Sequence, residues 1–105
     1  MEKIFDLDKI LSKLNEAGNY YYEFFSLEKL QVGLLRLQPF EKDVQSVHSW
    51  DEIYYVIRGD GFSLLNNKKH KLKINSFIYV PANMEHRFMD NTEELLVAYF
   101  LIDTD

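Results

Sequence analysis

The sequence predicts an all-β domain, an antiparallel sandwich or barrel preceded by one short helix. Three observations lead there. From Asn19 onward the chain runs in short stretches rich in Tyr, Phe, Val, Ile and Leu, the residues that suit a pleated, half-buried surface. Turn residues break these stretches at short intervals: Ser26, Gln38-Pro39, Gly59-Asp60-Gly61, Asn66-Asn67, Asn75-Ser76 and Pro81-Ala82-Asn83. Helical periodicity occurs convincingly only once, at the N-terminus, so alternating helix and strand units of a parallel sheet are not expected.

The elements follow in order. Leu7, Ile10, Leu11 and Leu14 recur at helical spacing, Asp6 or Asp8 offers a capping carboxylate, and Gly18 supplies a left-handed stop. Strands are expected near 19–25, 30–38, 44–48, 52–58, 61–65, 69–74, 77–80, 85–89 and 95–102. No repeat, low-complexity tract or linker divides them. With 105 residues, 47% of them hydrophobic, the chain suits one packed domain and leaves no room for a second. Residues 1–29 then form the helix and an edge strand, and 30–102 form the barrel. The stretch NYYYEFF, 19–25, is aromatic on both faces and needs a cover, either the N-terminal helix or a second subunit.

Charge and composition narrow the function. A net charge of -5 opposes non-specific binding to nucleic acid or anionic membranes. The one basic patch, Lys68, Lys69, His70, Lys71 and Lys73, follows the Asn66-Asn67 hairpin signal and reads as a solvated flank. Neither nucleic acid nor a membrane is expected as a partner. Cysteine is absent, which removes disulfides, thiolate ligands and thiol nucleophiles. The first residues lack a secretory apolar run, and no stretch of about 18 apolar residues is present, so a soluble cytoplasmic protein is expected.

Three histidines occur, and two fall in suggestive places. In HSWDEIYYVIRG, His48 precedes Glu52 by four residues, at the start of a β-prone run. On a strand, Glu52, Tyr54 and Val56 share one face while Ile53, Tyr55 and Ile57 share the other. A carboxylate opening an apolar strand is costly to bury unless paired, and a cation shared with an imidazole would pair it. An exposed position at the strand mouth would also suit Glu52. In NSFIYVPANMEHRFMDN, a buried run at 77–80 reverses through Pro81-Ala82-Asn83 and returns with His86. Taken alone, His86 also fits a strand surface. Two imidazoles and one carboxylate are thus available from three separate strands. His70 belongs to neither segment and is expected in solvent.

These segments resemble the paired motifs of the cupins. His48, Glu52 and Gly59 match the end of the first motif; Asn75, Pro81, Asn83 and His86 occupy the places of Gly, Pro, Gly and His in the second. Residues 60–74 form the short connection between them, and the resemblance spans about 30–102. It implies a jelly-roll barrel holding one divalent transition metal ion, of Fe, Mn, Ni, Zn or Cu, through His48, Glu52 and His86. Asn75 and Asn83 tolerate positive φ as glycine does, so both turns remain accessible. Asp90 stands where the family usually has Asn, with Asn91 beside it. Ser46 stands where many cupins have a further His, leaving the two-His, one-carboxylate set of non-haem iron oxygenases. If a bulge turns Gln45 inward, its amide oxygen becomes a fourth ligand; otherwise it is a solvated loop amide.

Cavity walls are expected from residues sharing parity with the ligands, Tyr54, Val56, Met84 and Phe88, each of which also fits as barrel filling. The resemblance implies a metal-dependent enzyme of oxygenase, isomerase or lyase type, acting on a small molecule in the barrel, with Tyr54 able to donate a hydrogen bond to a bound anion. Its rivals are a non-catalytic binding or sensing module and a metal-free barrel. The resemblance further implies a two-fold homodimer.

Overall fold

The computed structural model describes residues 2–45 and 47–105. Helix α1, Leu7–Ala17, starts where Asp6, in extended backbone, accepts hydrogen bonds from the amides of Asp8 (2.8 Å) and Lys9 (3.4 Å), and it stops at Gly18 with φ 73°. Of the two candidate caps, Asp6 is the one used. No helix among the described residues is long and apolar enough to cross a membrane.

Eight strands follow among the described residues: β1 Tyr21–Leu27, β2 Leu30–Leu37, β3 Asp51–Arg58, β4 Phe62–Leu65, β5 Lys68–Lys71, β6 Phe77–Val80, β7 His86–Met89 and β8 Leu95–Ile102. A five-stranded sheet, β1-β2-β8-β3-β6, faces a three-stranded one, β5-β4-β7, and the pairings are antiparallel. The strand expected at 44–48 is not formed by its described residues. Side chains take the backbone groups a ladder would need: the Val44 amide donates to the Tyr20 hydroxyl (3.3 Å) and the Gln45 amide to Asp43 Oδ1 (3.2 Å).

Between the sheets lies a core of Leu35, Leu37, Tyr54, Val56, Leu72, Val80, Phe88, Leu95, Val97 and Tyr99. A second cluster lies where α1 packs on the outside of the larger sheet, with Ile10 against Leu34 and Leu96. The aromatic stretch of β1 is covered in part by the chain's own N-terminus. Phe5 meets Phe24 and Phe25 at 4.9 and 5.6 Å, beside a bulge between Glu23 and Phe25.

Backbone sterics explain the turn residues. Gly59 has φ 102°, and a Cβ there would lie 2.3 Å from the Glu94 carbonyl oxygen. Asn75 and Asn83 take φ 67° and 66°, so each does what glycine does at those places. Asn66 and Asn67, both at positive φ, form the tight turn between β4 and β5. Beyond that turn, Lys68 to Lys71 of β5, including His70, are exposed. Asn91, next to Asp90, is buried and donates to the carbonyls of Leu37 (3.0 Å) and Glu93 (2.9 Å).

Candidate metal centre

Burial alternates along β3, and the inward set is Glu52, Tyr54 and Val56. Glu52 is only 2% exposed, so its charge must be answered locally. In register it lies between Val80 of β6 and Leu101 of β8. His48 sits in the loop ahead of β3. Its carbonyl accepts from the Asn83 amide (2.7 Å), and the Ala82 amide donates to Asp51 Oδ1 (2.8 Å). The Pro81–Asn83 turn thereby fastens the His48 loop beside the start of β7, and β7 begins with His86 from the opposing sheet.

The three side chains converge. His86 Nε2 lies 3.2 Å from Glu52 Oε1 and His48 Nε2 lies 3.9 Å from it. The two imidazole centroids are 5.4 Å apart. One ligand atom from each residue falls within 4.8 Å of the others, close enough to hold a single ion. The His48 side chain is 30% exposed and marks the open side, whereas those of Glu52 and His86 are 3% exposed.

The tautomer of His86 follows from its neighbour. Nδ1 is 2.9 Å from the Met84 carbonyl oxygen, which can only accept, so Nδ1 carries the proton and the neutral ring aims the Nε2 lone pair into the site. Nε2 is buried without a hydrogen bond among the described residues, since Glu52 lies near but out of line. A lone pair this close to a carboxylate is repelled unless a cation, proton or metal, lies between. Burial lowers the pKa of His86; the Glu52 carboxylate, the Met84 carbonyl and the Asp43 charge outweigh it and leave the group above its ordinary 6.5. The donor set of two imidazoles and one carboxylate therefore fits a borderline divalent cation.

A polar network backs the centre. The Tyr54 hydroxyl lies 2.9 Å from Glu52 Oε1 and 3.1 Å from Gln45 Oε1. Gln45 Nε2 donates to Asp43 Oδ2 (2.8 Å), which orients the amide oxygen toward Tyr54. Asp43 also accepts from the Tyr20 hydroxyl (3.2 Å) and the Phe88 amide (2.8 Å). Burial, reinforced by Glu52, pushes the Tyr54 phenol well above 10, so it stays a donor. Asp43 has no place in either sequence motif. Its only signal was shared parity with Gln45 in an extended segment.

None of the four residues expected as cavity walls, Tyr54, Val56, Met84 and Phe88, borders the cavity beside His48 and Glu52. Val56 and Phe88 are sealed in the core, Phe88 against Tyr54 with centroids 4.8 Å apart, and Met84 packs on that core's margin. The cavity that Glu52, His48 and Gln45 border, about 270 Å³, is walled from β1, β2 and β8 by Tyr21, Glu23, Gln31, Leu35, Tyr99 and Leu101, of which Tyr21 and Glu23 stand at its exposed rim. Parity along β3 and β7 could not find them, because the space opens beneath the other half of the sheet. A second hollow of about 310 Å³ touches Gln45, His86, Asn66, Asn67 and Arg87. Ser46, where the family often has another His, lies outside the described residues.

Comparison with known proteins bears on the family and the fold. The family model described as cupin domain matches residues 33–102. An uncharacterised protein of Streptomyces coelicolor is 30% identical over 95 residues, which are 90% of each chain. Among solved structures, a Thermus thermophilus protein superposes with a TM-score of 0.80 at 19% identity, covering 97% of this chain and 98% of that one. A Methanocaldococcus jannaschii RmlC-like cupin with a double-stranded β-helix fold gives 0.77 at 18% identity, covering 98% and 92%. At such identities the structural likeness concerns the fold alone. Together with the family match and the motif residues seated on their strands and turns, it shows that this chain belongs to the cupin family.

Proposed function

We propose that this cupin holds one divalent ion, Fe, Mn, Ni, Zn or Cu, through His48, Glu52 and His86, and acts on a small molecule in the adjoining cavity as an oxygenase, isomerase or lyase. One observation carries the reading: His86 Nε2 is buried, lacks a hydrogen bond among the described residues and lies 3.2 Å from a carboxylate as buried as itself. Two sequestered lone-pair donors so placed are at rest only around a cation.

The residues divide the work. Met84 holds the His86 tautomer through its carbonyl, and Tyr54 steadies Glu52 by donating to Oε1. Asp43 keeps the Gln45 amide nitrogen, which leaves the amide oxygen on the Tyr54 side as a fourth, weaker donor. A bound metal would supply Lewis-acid polarisation of a substrate oxygen. Partly exposed His48 marks the side from which substrate enters.

The test is metal content of protein purified without chelator or His tag, for wild type and His86→Ala. Wild type should carry about one ion per chain, and His86→Ala almost none while keeping its circular dichroism spectrum. Equal content in the two, or no metal in wild type, overturns the proposal. A bound small molecule recovered unchanged after long incubation with the loaded protein would leave binding or sensing without turnover.

A two-fold homodimer belongs to the same proposal. Phe77 and Tyr79 on β6, at the edge of the larger sheet, are 71% and 59% exposed. A second copy laid on that face would cover them.

A further inference from the structure

Resting on the reading of this cavity as a ligand site, we propose that it selects small organic cations carrying an oxygen acceptor, such as aminophenols and amino alcohols, over carboxylates. Its charged walls carry the first part of the argument. Glu23 faces the cavity outside the set of metal ligands, and no Lys or Arg does so among the described residues; Glu52 faces it too, but its charge is taken up when an ion is bound. The cationic end of a ligand would meet Glu23 near the mouth, where the half-exposed Tyr21 also offers an aromatic face. At the mouth an anionic end would meet Glu23 with no Lys or Arg to answer it, and only an ion bound deeper in would attract it.

Tyr99 carries the second part. It is 7% exposed, and its ring lies across Gly33, its register partner on β2, in the space a side chain would occupy. A Cβ at Gly33 would be 2.2 Å from Tyr99 Cζ and 2.3 Å from its hydroxyl oxygen. The absent side chain is a notch that seats the phenol. The hydroxyl makes no hydrogen bond to a described residue and Tyr99 lines the cavity, so a donor free of protein partners is open to an acceptor brought by a ligand. Burial and the charges of Glu23 and Glu52 raise its pKa, which keeps the proton in place. Leu35 and Leu101 supply apolar wall on either side of the cross-strand row of Glu23, Gly33 and Tyr99. At about 270 Å³ the space lies at or below the small end of ligand pockets, about 300–1,000 Å³, and suits a one-ring molecule.

The experiment titrates three probes with one phenol body: tyramine (cation), para-ethylphenol (neutral) and para-hydroxyphenylacetate (anion). Amide NMR gives each Kd, in zinc-loaded and in chelator-treated protein. In chelator-treated protein tyramine should bind roughly tenfold tighter than the anion, the neutral probe between them, with shifts centred on Gly33, Tyr99 and Leu101, and zinc should narrow that ratio by adding positive charge beside Glu52. Glu23→Gln, a change at an exposed position, should narrow that ratio to under about threefold. Tyr99→Phe should weaken tyramine and para-ethylphenol alike by about fivefold and leave the charge preference intact. In chelator-treated protein, an anion bound as tightly as tyramine, a ratio unmoved by Glu23→Gln, or no binding of any probe at about 10 mM overturns the proposal. The chelated arm separates this from the metal reading, because the Glu23 preference persists there whether or not His86→Ala loses metal.

Discussion

Replacing Glu52 by Gln should reverse the pH dependence of the metal-free protein. At 3.2 Å, an imidazolium at His86 and the Glu52 carboxylate attract by about 5 kcal/mol at an effective dielectric constant near 20, before desolvation is subtracted. Burial is the largest single influence on His86 and acts downward; Glu52 contributes both by its contact and by its charge to the upward side. With Gln at 52, burial faces only the Met84 carbonyl and the more distant Asp43. The His86 pKa should then fall from above 6.5 to below it.

The consequence for stability has opposite sign in the two proteins. In wild type the folded state binds the proton more tightly than the unfolded chain. That stabilisation is complete below about pH 6.5 and is lost as pH rises through the raised folded value. In Glu52→Gln the folded state resists protonation, so stability is lost as pH falls below about 6.5. One proton limits either slope to about 1.4 kcal/mol per pH unit, equivalent to about 6 °C in Tm for a domain of this size. The assay is thermal unfolding of chelator-treated protein across this range, with NMR titration of the His86 ring. A His86 pKa that stays above 6.5 in Glu52→Gln, or Tm slopes of the same sign, would refute the account of what holds the proton.

Three further outcomes follow from local geometry. Gly33→Ala should cost about 1–3 kcal/mol in urea unfolding and displace Tyr99, because the added methyl collides with the ring, whereas Gly59→Ala should cost at least as much because its methyl meets the Glu94 backbone. Asn83→Gly should be within about 0.5 kcal/mol of wild type while Asn83→Ala loses about 1–2, the strain of a Cβ at φ 66°; equal losses would show that the side chain matters instead. Phe77→Lys combined with Tyr79→Lys should convert a dimeric mass to a monomeric one by light scattering, and a wild type already monomeric at micromolar concentration would remove the homodimer.

Local chemistry is what made the fold readable. Aromatic and β-branched runs, a carboxylate ahead of one amphipathic helix, Gly18 after it and Asn at the turns each constrain only their immediate backbone, and each is found doing so. The strand expected at 44–48 failed for a reason outside that logic: Asp43 and Tyr20 take backbone groups that a ladder would have used. Asp43 offers the sequence only its two-residue spacing from Gln45, since its other partners Tyr20 and Phe88 lie 23 and 45 residues away.

His48, Glu52 and His86 were named by spacing and type, which the sequence determines by itself, as it determines the parity that turns Glu52 inward. Their convergence is tertiary: His86 arrives on the opposite sheet, and a hydrogen bond from Asn83 to the His48 carbonyl sets the approach. The cavity is tertiary as well. Strand alternation assigns a side chain to a face, but whether that face is filled, as at Val56 and Phe88, or left open, as beneath Tyr99, depends on what the neighbouring strands place there. Gly33 decides that for Tyr99 by having no side chain at all.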